Sequence, residues 1–210
     1  MTSELSLSFQ KLGCSRGGRP LFQGVDCRLQ AGHWLYIAGS NGVGKTSLLR
    51  MVCGLSPVES GSICWNGVPI HKQRDVYRQN LCYLGHLNAL QESMTVDENM
   101  MFTSALAGLA PNPIRTHAVL ARFGLAGRSQ QLVRHLSQGQ KRRVALSRLA
   151  LSPARLWVLD EPFVGMDDAG VSMLTHLIAE HLSGGGLAVL TSHQPVTIGN
   201  IHAQVLALGR

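Results

Sequence analysis

The sequence contains no long apolar run. No stretch approaches the ~18 uninterrupted apolar residues of a membrane-spanning helix, and the segment Met100 to Ala110 is too short and is interrupted by polar residues. The N-terminal residues include Glu4 and show no basic segment followed by an apolar one, so no secretory signal is recognisable. We expect a cytosolic protein that does not cross a membrane by itself.

The sequence also lacks recognisable cysteine and histidine motifs. The five cysteines are odd in number, widely spaced and without a C-x-x-C pair, which argues against both a disulfide framework and a zinc site. The nine histidines form no H-E-x-x-H or C-x-x-C-H pattern. We expect free thiols and mostly structural histidines.

Acidic residues are few. Twelve of them stand against 19 lysines and arginines, giving a net charge of +7, which suits either nucleic acid or an anionic membrane face without choosing between them. The 210 residues show no internal repeat or low-complexity tract, and their 45% hydrophobic content suffices for one good core with a small satellite subdomain. One main domain is expected.

The most informative stretch matches the phosphate-binding pattern G-x-x-x-x-G-K-[ST]. It comprises Gly39, Ser40, Asn41, Gly42, Val43, Gly44, Lys45 and Thr46, with Ser47 following. An apolar strand, Trp34 to Ala38, is predicted before it and a helix after it, which is the context that the pattern requires. Glycines admit phosphates to the backbone, Lys45 neutralises charge and Thr46 offers a hydroxyl for Mg²⁺, so a nucleoside triphosphate should bind here.

Short strands surround this loop. Glu4 to Phe9 and Leu21 to Leu29 show interrupted alternation and predict an antiparallel edge. The tight-turn pair Asn66-Gly67 joins two more short runs of the same edge between Gly61 and Ile70. Leu81 to Leu84 is predicted to be a buried strand that ends near His86.

A helical segment is predicted next. Thr95 and Glu98 fit a capping box at a helix start, and Ile114 to Phe123 also reads as a helix. Ser137 stands where an N-cap belongs, before a basic helix that runs to Leu151. We expect a helical insertion between strands, approximately residues 87–150.

Two carboxylates follow a continuous apolar strand. Leu156 to Leu159 leads into Asp160 and Glu161, and ligands of parallel sheets sit beyond the carboxyl ends of the strands. These carboxylates should therefore face the phosphates. A further helix closes at Gly184 to Gly186, and Leu187 to Leu190 then forms a strand that precedes His193.

With these motifs in place, the chain resembles the nucleotide-binding subunits of ABC transporters over essentially its whole length. The resemblance rests on the phosphate loop, the signature Leu136 to Gln140, the carboxylate strand and His193. It implies one ABC ATPase domain over residues 1–210: an α/β P-loop NTPase core with a mostly parallel sheet, an antiparallel β edge and a helical signature subdomain.

The resemblance also implies roles for single residues. Asp160 and Thr46 would hold Mg²⁺, Glu161 would polarise the attacking water, and His193 would contact the γ-phosphate, with Lys45 on the phosphates. Ser137, Gly139 and Gln140 of the signature would cap the ATP of a second copy, so that two chains enclose two ATP molecules head to tail. Asp167 would lie in the loop between the copies.

Three positions depart from the usual pattern. His86 stands where a glutamine is common, and we expect it to couple nucleotide state to a membrane partner. Gln138 replaces a signature glycine, and Arg16 stands near the position of an adenine-stacking aromatic residue. The run Lys141 to Arg143 is interpreted as a solvated helix face without a catalytic role.

Within the family, the runs Tyr83 to His86, Leu136 to Leu149 and Leu159 to Phe163 are similar to one branch, the ATP-binding subunits of haem exporters in cytochrome c maturation. This likeness implies a transmembrane partner of the CcmB type, contacts with other cytochrome c maturation proteins, and a peripheral place on the cytoplasmic face of the bacterial inner membrane.

Other functions remain open from the residues alone. An ATPase of another ABC transporter, a soluble ABC-type ATPase acting on nucleic acid or ribosomes, a metabolite kinase and a non-hydrolysing binding module all use a phosphate loop. The soluble ATPases usually carry tandem nucleotide domains or long coiled coils, so nucleic acid is not the expected partner. The signature and His193 disfavour a kinase, and the intact Lys45 and Glu161 disfavour a non-hydrolysing module.

Overall fold

The structure is a computed structural model that describes residues 5–193 and 196–209. Glu4, the predicted start of the first strand, lies outside the described residues. Within these residues the strands are β1 Ser6–Arg16, β2 Arg19–Gln30, β3 Trp34–Ala38, β4 Ser60–Trp65, β5 Val68–Pro69, β6 Leu81–Leu84, β7 Leu156–Leu159, β8 Leu187–Thr191 and β9 Ala203–Ala207. The α-helices in the same ranges are α1 Lys45–Val52, α2 Arg74–Gln79, α3 Val96–Leu106, α4 Pro113–Arg122, α5 Gln138–Leu151 and α6 Asp168–Ser183.

A parallel sheet of five strands forms the centre, in the order β6-β7-β8-β3-β9. Its inner strands are continuous apolar runs, because helices or another sheet cover both faces. The carboxyl ends of β3 and β7 lie at the same edge, with β8 between them. The residues that follow these strands therefore meet above that edge.

An antiparallel sheet of four strands, in the order β2-β1-β4-β5, packs against one face. Its turn at Asn66 and Gly67 has φ values of 51° and 78°, the left-handed pair that a tight hairpin requires. The predicted antiparallel edge is confirmed, although β1 and β2 extend further into the glycine-rich Gly13 to Pro20 segment than the alternation indicated.

The core divides between the two faces of the parallel sheet. On β7, Leu156 and Val158 pack toward α1 and the antiparallel sheet, whereas Trp157 and Leu159 pack toward the helices α3 to α6. This alternation follows from the pleat of a strand. Both carboxylates after β7 are thus anchored by a strand that is buried on both sides.

The segment between β6 and β7 is helical. Thr95 caps α3 and Ser137 caps α5, each in a capping box with both reciprocal hydrogen bonds. Whether residues 87–150 form a subdomain of their own stays a prediction, since their apolar side chains share a core with the parallel sheet. In the ranges that the structure covers, no helix combines the length and apolar character of a membrane span.

Candidate nucleotide site

The phosphate loop connects β3 to α1, as its sequence context predicts. Gly39 has φ 150°, and a Cβ there would lie 2.6 Å from the Leu208 carbonyl oxygen. Gly44 has φ 109°, and a Cβ there would lie 3.1 Å from the Phe22 ring. Glycine is therefore required at both ends of the loop, by conformation and by space.

The end of this loop is suited to an anion. Helix α1 begins at Lys45 without a side-chain cap, so the first N–H groups of the helix point into the loop and carry the positive end of the dipole. Lys45 is 9% exposed, and its ammonium donates to the Gly39 carbonyl at 2.7 Å, within the loop itself. The loop thus concentrates donors around one small space.

Asp160 lies directly beside this loop. Its Oδ2 accepts a hydrogen bond from Thr46 Oγ1 at 3.2 Å, and its Oδ1 accepts one from Thr191 Oγ1 at 2.9 Å. Asp160 is 4% exposed, and no ion pair found among the described residues involves it, although its charge acts on that of the buried Arg142. A buried carboxylate next to a hydroxyl, without a direct ion pair, is a suitable set of oxygen ligands for Mg²⁺.

Glu161 and His193 form the second polar pair. Glu161 Oε1 lies 3.4 Å from His193 Nε2, and their side chains are 12% and 53% exposed, respectively. Glu161 has φ 49°, a left-handed conformation that is uncommon for a residue other than glycine. This backbone turn directs the Glu161 side chain toward the phosphate loop, while Asp160 continues β7.

Two residues at this site were not predicted from the sequence. Thr191, the last residue of β8, donates to Asp160 and also accepts from the Glu161 N–H at 2.9 Å. Arg142 was interpreted as solvated, which is wrong: it is 7% exposed and donates to the Glu161 carbonyl at 3.1 Å. Burial lowers the pKa of Arg142, although a guanidinium stays charged at neutral pH.

The loop and the carboxylates line one open cavity of about 300 Å³. Its lining residues are Arg16, Leu21, Asn41, Gly42, Gly44, Lys45, Thr46, Ser47, Asp160, Glu161 and His193. The structure therefore brings together most of the residues predicted to bind phosphate and metal, and it adds Arg16 at the mouth.

The signature residues lie elsewhere. Ser137, Gly139 and Gln140 line a second cavity of about 360 Å³, together with Arg143 and the loop 165–167. Asp167 accepts from the Gly170 N–H at 2.9 Å and pairs with Arg143 at 3.1 Å, and these two contacts lower the pKa of Asp167. No residue lines both cavities, so a single copy does not place its own signature on its own phosphate loop.

His86 lies outside both cavities, in the loop that follows β6. It is exposed, and the neighbouring Leu87 is 80% exposed. Asn88, two residues further on, accepts a hydrogen bond from Arg142 Nη1 at 3.1 Å. The exposed end of this loop is therefore connected through one arginine to the backbone of Glu161.

Comparison with known proteins identifies the family. The ABC transporter family profile matches residues 22–164, more than half of the chain. The chain is 75% identical over 203 residues, 97% of each sequence, to the cytochrome c biogenesis ATP-binding export protein CcmA of Albidiferax ferrireducens. It is 48% identical to the protein of the same name from Dechloromonas aromatica, covering 97% of this chain and 100% of that one.

Solved structures agree on the fold. An ATP-binding protein of a putative ABC transporter from Pyrococcus furiosus superposes with a TM-score of 0.83 over 97% of both chains, at 24% identity. The predicted fold, with its parallel sheet, antiparallel sheet and helices, is confirmed. The phosphate loop, the carboxylates after β7 and these matches together show that the chain is an ATP-binding subunit and belongs to the ABC transporter family.

Proposed function

We propose that the chain is the ATP-hydrolysing subunit of a membrane ABC complex that handles haem during the biogenesis of c-type cytochromes. The observation that carries the hydrolytic part is the convergence of the phosphate loop, the Thr46–Asp160 pair and the Glu161–His193 pair in one cavity. The process follows from the names of the relatives and from the likeness to the haem exporter branch.

ATP is the substrate that this cavity fits. The free N–H groups at the start of α1 and the Lys45 ammonium would bind its β- and γ-phosphates. Arg16, at the mouth, presents a planar cation that can stack on the adenine ring. With the phosphates held in this way, the γ-phosphate would face Glu161 and His193, which line the same cavity.

Thr46 and Asp160 are the residues that would hold Mg²⁺. Both offer oxygen atoms, and the buried Asp160 carboxylate supplies a negative charge that forms no direct ion pair within the described ranges. A bound Mg²⁺ would neutralise charge on the phosphate oxygens. Thr46 and Asp160 would then exchange their mutual hydrogen bond for contacts with the ion.

Glu161 is placed to act on the attacking water. Its carboxylate would accept a hydrogen bond from that water and orient it toward the γ-phosphate, or take its proton as the P–O bond forms. His193, which is 3.4 Å from Glu161 and more exposed, would donate to the γ-phosphate oxygens. Phosphoryl transfer needs mainly such positioning and charge stabilisation.

A second copy of the chain would complete each site. Ser137 and Gly139, at the N-terminus of α5, form a second group of anion-binding donors, and they line a different cavity from the phosphate loop. In a head-to-tail dimer each signature would contact the ATP held by the other copy. Closure would then depend on nucleotide, and hydrolysis would reopen the dimer.

The partner is expected to be a transmembrane subunit of the CcmB type, on the cytoplasmic face of the bacterial inner membrane. Exposed apolar side chains support a docking surface: Leu87 is 80% exposed, and Leu106 of α3 is 73% exposed. Other cytochrome c maturation proteins would join this complex. His86 would couple the nucleotide state to the partner, and full coupled activity of a His86→Ala variant would refute this role.

The partner can be identified by purifying the tagged chain from its native membrane in mild detergent and analysing the co-purified proteins by mass spectrometry. We expect a CcmB-type permease. Leu87→Asp should reduce its recovery at least about tenfold, because the change places a charge on the apolar surface. Val205→Asp is the matched control, since Val205 is 61% exposed on β9, at the opposite edge of the sheet from β6.

Other outcomes would separate the parts of the proposal. Recovery of a different permease would retain the ATPase subunit and remove the haem pathway. Recovery of ribosomes or DNA in place of a permease would overturn the transporter function. Equal loss of the permease in Leu87→Asp and Val205→Asp would overturn the docking surface at the loop after β6.

A further inference from the structure

The backbone of Glu161 is held on both sides by side chains. Its N–H donates to Thr191 Oγ1 at 2.9 Å, and its carbonyl accepts from Arg142 Nη2 at 3.1 Å. Both partners are buried: Thr191 is 0% exposed and Arg142 is 7% exposed. Thr191 belongs to β8, which follows Glu161 in the sequence, and Arg142 belongs to α5, which precedes it.

Glu161 needs such support because its φ of 49° is unfavourable for a residue with a Cβ. In a residue without fixed hydrogen bonds, the backbone would relax to a negative φ, and the side chain would then point in another direction. Two hydrogen bonds from rigid elements hold the peptide groups on either side of Cα. Their geometry fixes the direction of the carboxylate.

The Thr191 hydroxyl serves a second residue at the same time. It accepts from the Glu161 N–H and donates its own hydrogen to Asp160 Oδ1 at 2.9 Å. One hydroxyl thus ties the proposed metal ligand to the backbone of the residue proposed to act on water. Only serine or threonine can provide both a donor and an acceptor here within this volume.

Arg142 extends the arrangement to the partner side. Its guanidinium also donates to the Pro162 carbonyl at 3.4 Å through Nε and to Asn88 Oδ1 at 3.1 Å through Nη1. Asn88 belongs to the exposed loop that contains His86. A shift of this loop would therefore move the donor that holds the Glu161 carbonyl.

We propose that Thr191 and Arg142 are positioning residues for ATP hydrolysis, which together clamp the left-handed Glu161 backbone and aim its carboxylate. This inference rests on the proposed hydrolytic role of Glu161. Neither residue contacts the substrate itself: both act through Glu161, and Thr191 also acts through Asp160. Through Asn88, the clamp connects the loop of the proposed partner surface to the hydrolytic centre.

The test compares the full wild-type chain with Thr191→Val, which keeps the shape but removes the hydroxyl, and with Thr191→Ser, which keeps the hydroxyl. We expect Thr191→Val to lower kcat for ATP at least about tenfold and to leave KM within about threefold, because the phosphate loop is unchanged. Thr191→Ser should restore kcat to within about threefold of the wild type.

Arg142→Met tests the other side of the clamp. It removes the side-chain donor to the Glu161 carbonyl, which then keeps only the longer 3.3 Å contact from the Val164 N–H among the described hydrogen bonds, and should also lower kcat at least about tenfold. Arg122→Met is the control, because Arg122 lies on α4, where its exposed side chain pairs with Glu180 of α6 at 2.7 Å. We expect its kcat within about threefold of the wild type.

A readout without nucleotide completes the test. Amide hydrogen exchange of the Glu161 N–H, followed by NMR, should be at least about tenfold faster in Thr191→Val than in the wild type, and Thr191→Ser should restore its protection. Unchanged exchange in Thr191→Val would overturn the clamp, as would kcat values within about threefold of the wild type in both Thr191→Val and Arg142→Met. Failure of Thr191→Ser to rescue would also overturn it.

Failure of the clamp and failure of the proposed ATPase function would give different experimental results. If Thr191→Val fails to fold, Arg142→Met against Arg122→Met decides the proposal. A wild-type chain that hydrolyses no ATP, alone or with its membrane partner, would overturn the proposed function, whereas hydrogen exchange at Glu161 would still decide whether the clamp holds its backbone.

Discussion

Glu161 is the residue on which ATP hydrolysis should depend most directly. Glu161→Gln preserves the size of the side chain but removes its negative charge, so it can no longer take a proton from water. We expect turnover to fall at least about 100-fold, while ATP affinity stays within about threefold because the phosphate loop is intact. Phosphate release and binding of a fluorescent ATP analogue measure the two quantities.

The control for this substitution is Glu180→Gln. Glu180 pairs with Arg122 on the exposed side of α6 at 2.7 Å, away from the residues that line the phosphate cavity. The same chemical change there should leave turnover within about threefold. Undiminished ATP hydrolysis by Glu161→Gln would contradict the role that we assign to the Glu161 carboxylate.

Single residues also show where reasoning from the sequence ends. The phosphate loop is a local feature, since eight consecutive residues and two flanking elements define it. The contacts of Thr191 and Arg142 depend on how β8 and α5 pack beside β7, which no local pattern encodes. Arg142 was misinterpreted for this reason, since a basic run on a helix gives no sign that its middle residue points inward.

At the scale of elements, α6 packs against the central strand β7 through an aromatic pair. His181 stacks on Trp157 with ring centroids 3.9 Å apart and an interplanar angle of 7°. Its Nε2 lies 3.1 Å from the Leu187 carbonyl, to which a neutral imidazole can donate. Burial lowers the pKa of His181 below its usual 6.5, backbone hydrogen bonds to Leu187 and Arg155 oppose this shift, and the charge of Arg155 adds a smaller lowering.

This pKa shift predicts a loss of stability in acid. The unfolded chain takes up a proton on His181 more readily than the folded chain, so the contribution of neutral His181 is complete above pH 6.5 and is lost as pH falls below it toward the folded-state pKa. His181→Phe keeps a stacking ring but cannot titrate. We therefore expect its free energy of unfolding to fall less than that of the wild type between about pH 7.5 and pH 5.5, as measured by urea unfolding.

His176→Phe is the comparison for this measurement. His176 lies on the same helix, and its side chain is 72% exposed. Its removal should leave the pH dependence of unfolding close to that of the wild type. Identical pH dependence of the wild type and His181→Phe would show that the stacked imidazole is not the group responsible.

Most elements could be predicted from the sequence because their signals are local. Continuous apolar runs marked β3, β6, β7 and β8, a capping box marked the start of α3, and the N-cap residue Ser137 marked the start of α5. Strand ends were less predictable where tertiary pairing decides them: β1 and β2 continue through irregular register near Leu12 and Cys14. β9, Ala203–Ala207, ends at the residue that pairs with Ala38, the last residue of β3.

At the scale of the whole molecule, we propose from the two cavities that the chain is half of a functional unit. The phosphate loop and the signature line separate spaces, although both present helix N-termini suited to phosphate. A head-to-tail dimer would bring the two kinds of site together twice. Such an arrangement has two-fold symmetry and closes without further copies.

Dimerisation of the chain should therefore require ATP and a neutral surface at the signature. We expect Glu161→Gln with Mg²⁺ and ATP to elute from a sizing column at about twice the 22.7 kDa of the monomer, and to elute as a monomer without nucleotide.

Adding Gly139→Asp to this variant should abolish the dimer, because the new carboxylate would face the phosphates. A Cβ at Gly139 would meet no atom within 4 Å, and a negative charge near a helix N-terminus is stabilising. The monomer of this variant should therefore stay folded. Ser172→Asp, which adds the same charge on exposed α6, should still dimerise. Nucleotide-dependent dimers of the Gly139→Asp protein would contradict the proposed contact between the signature and ATP.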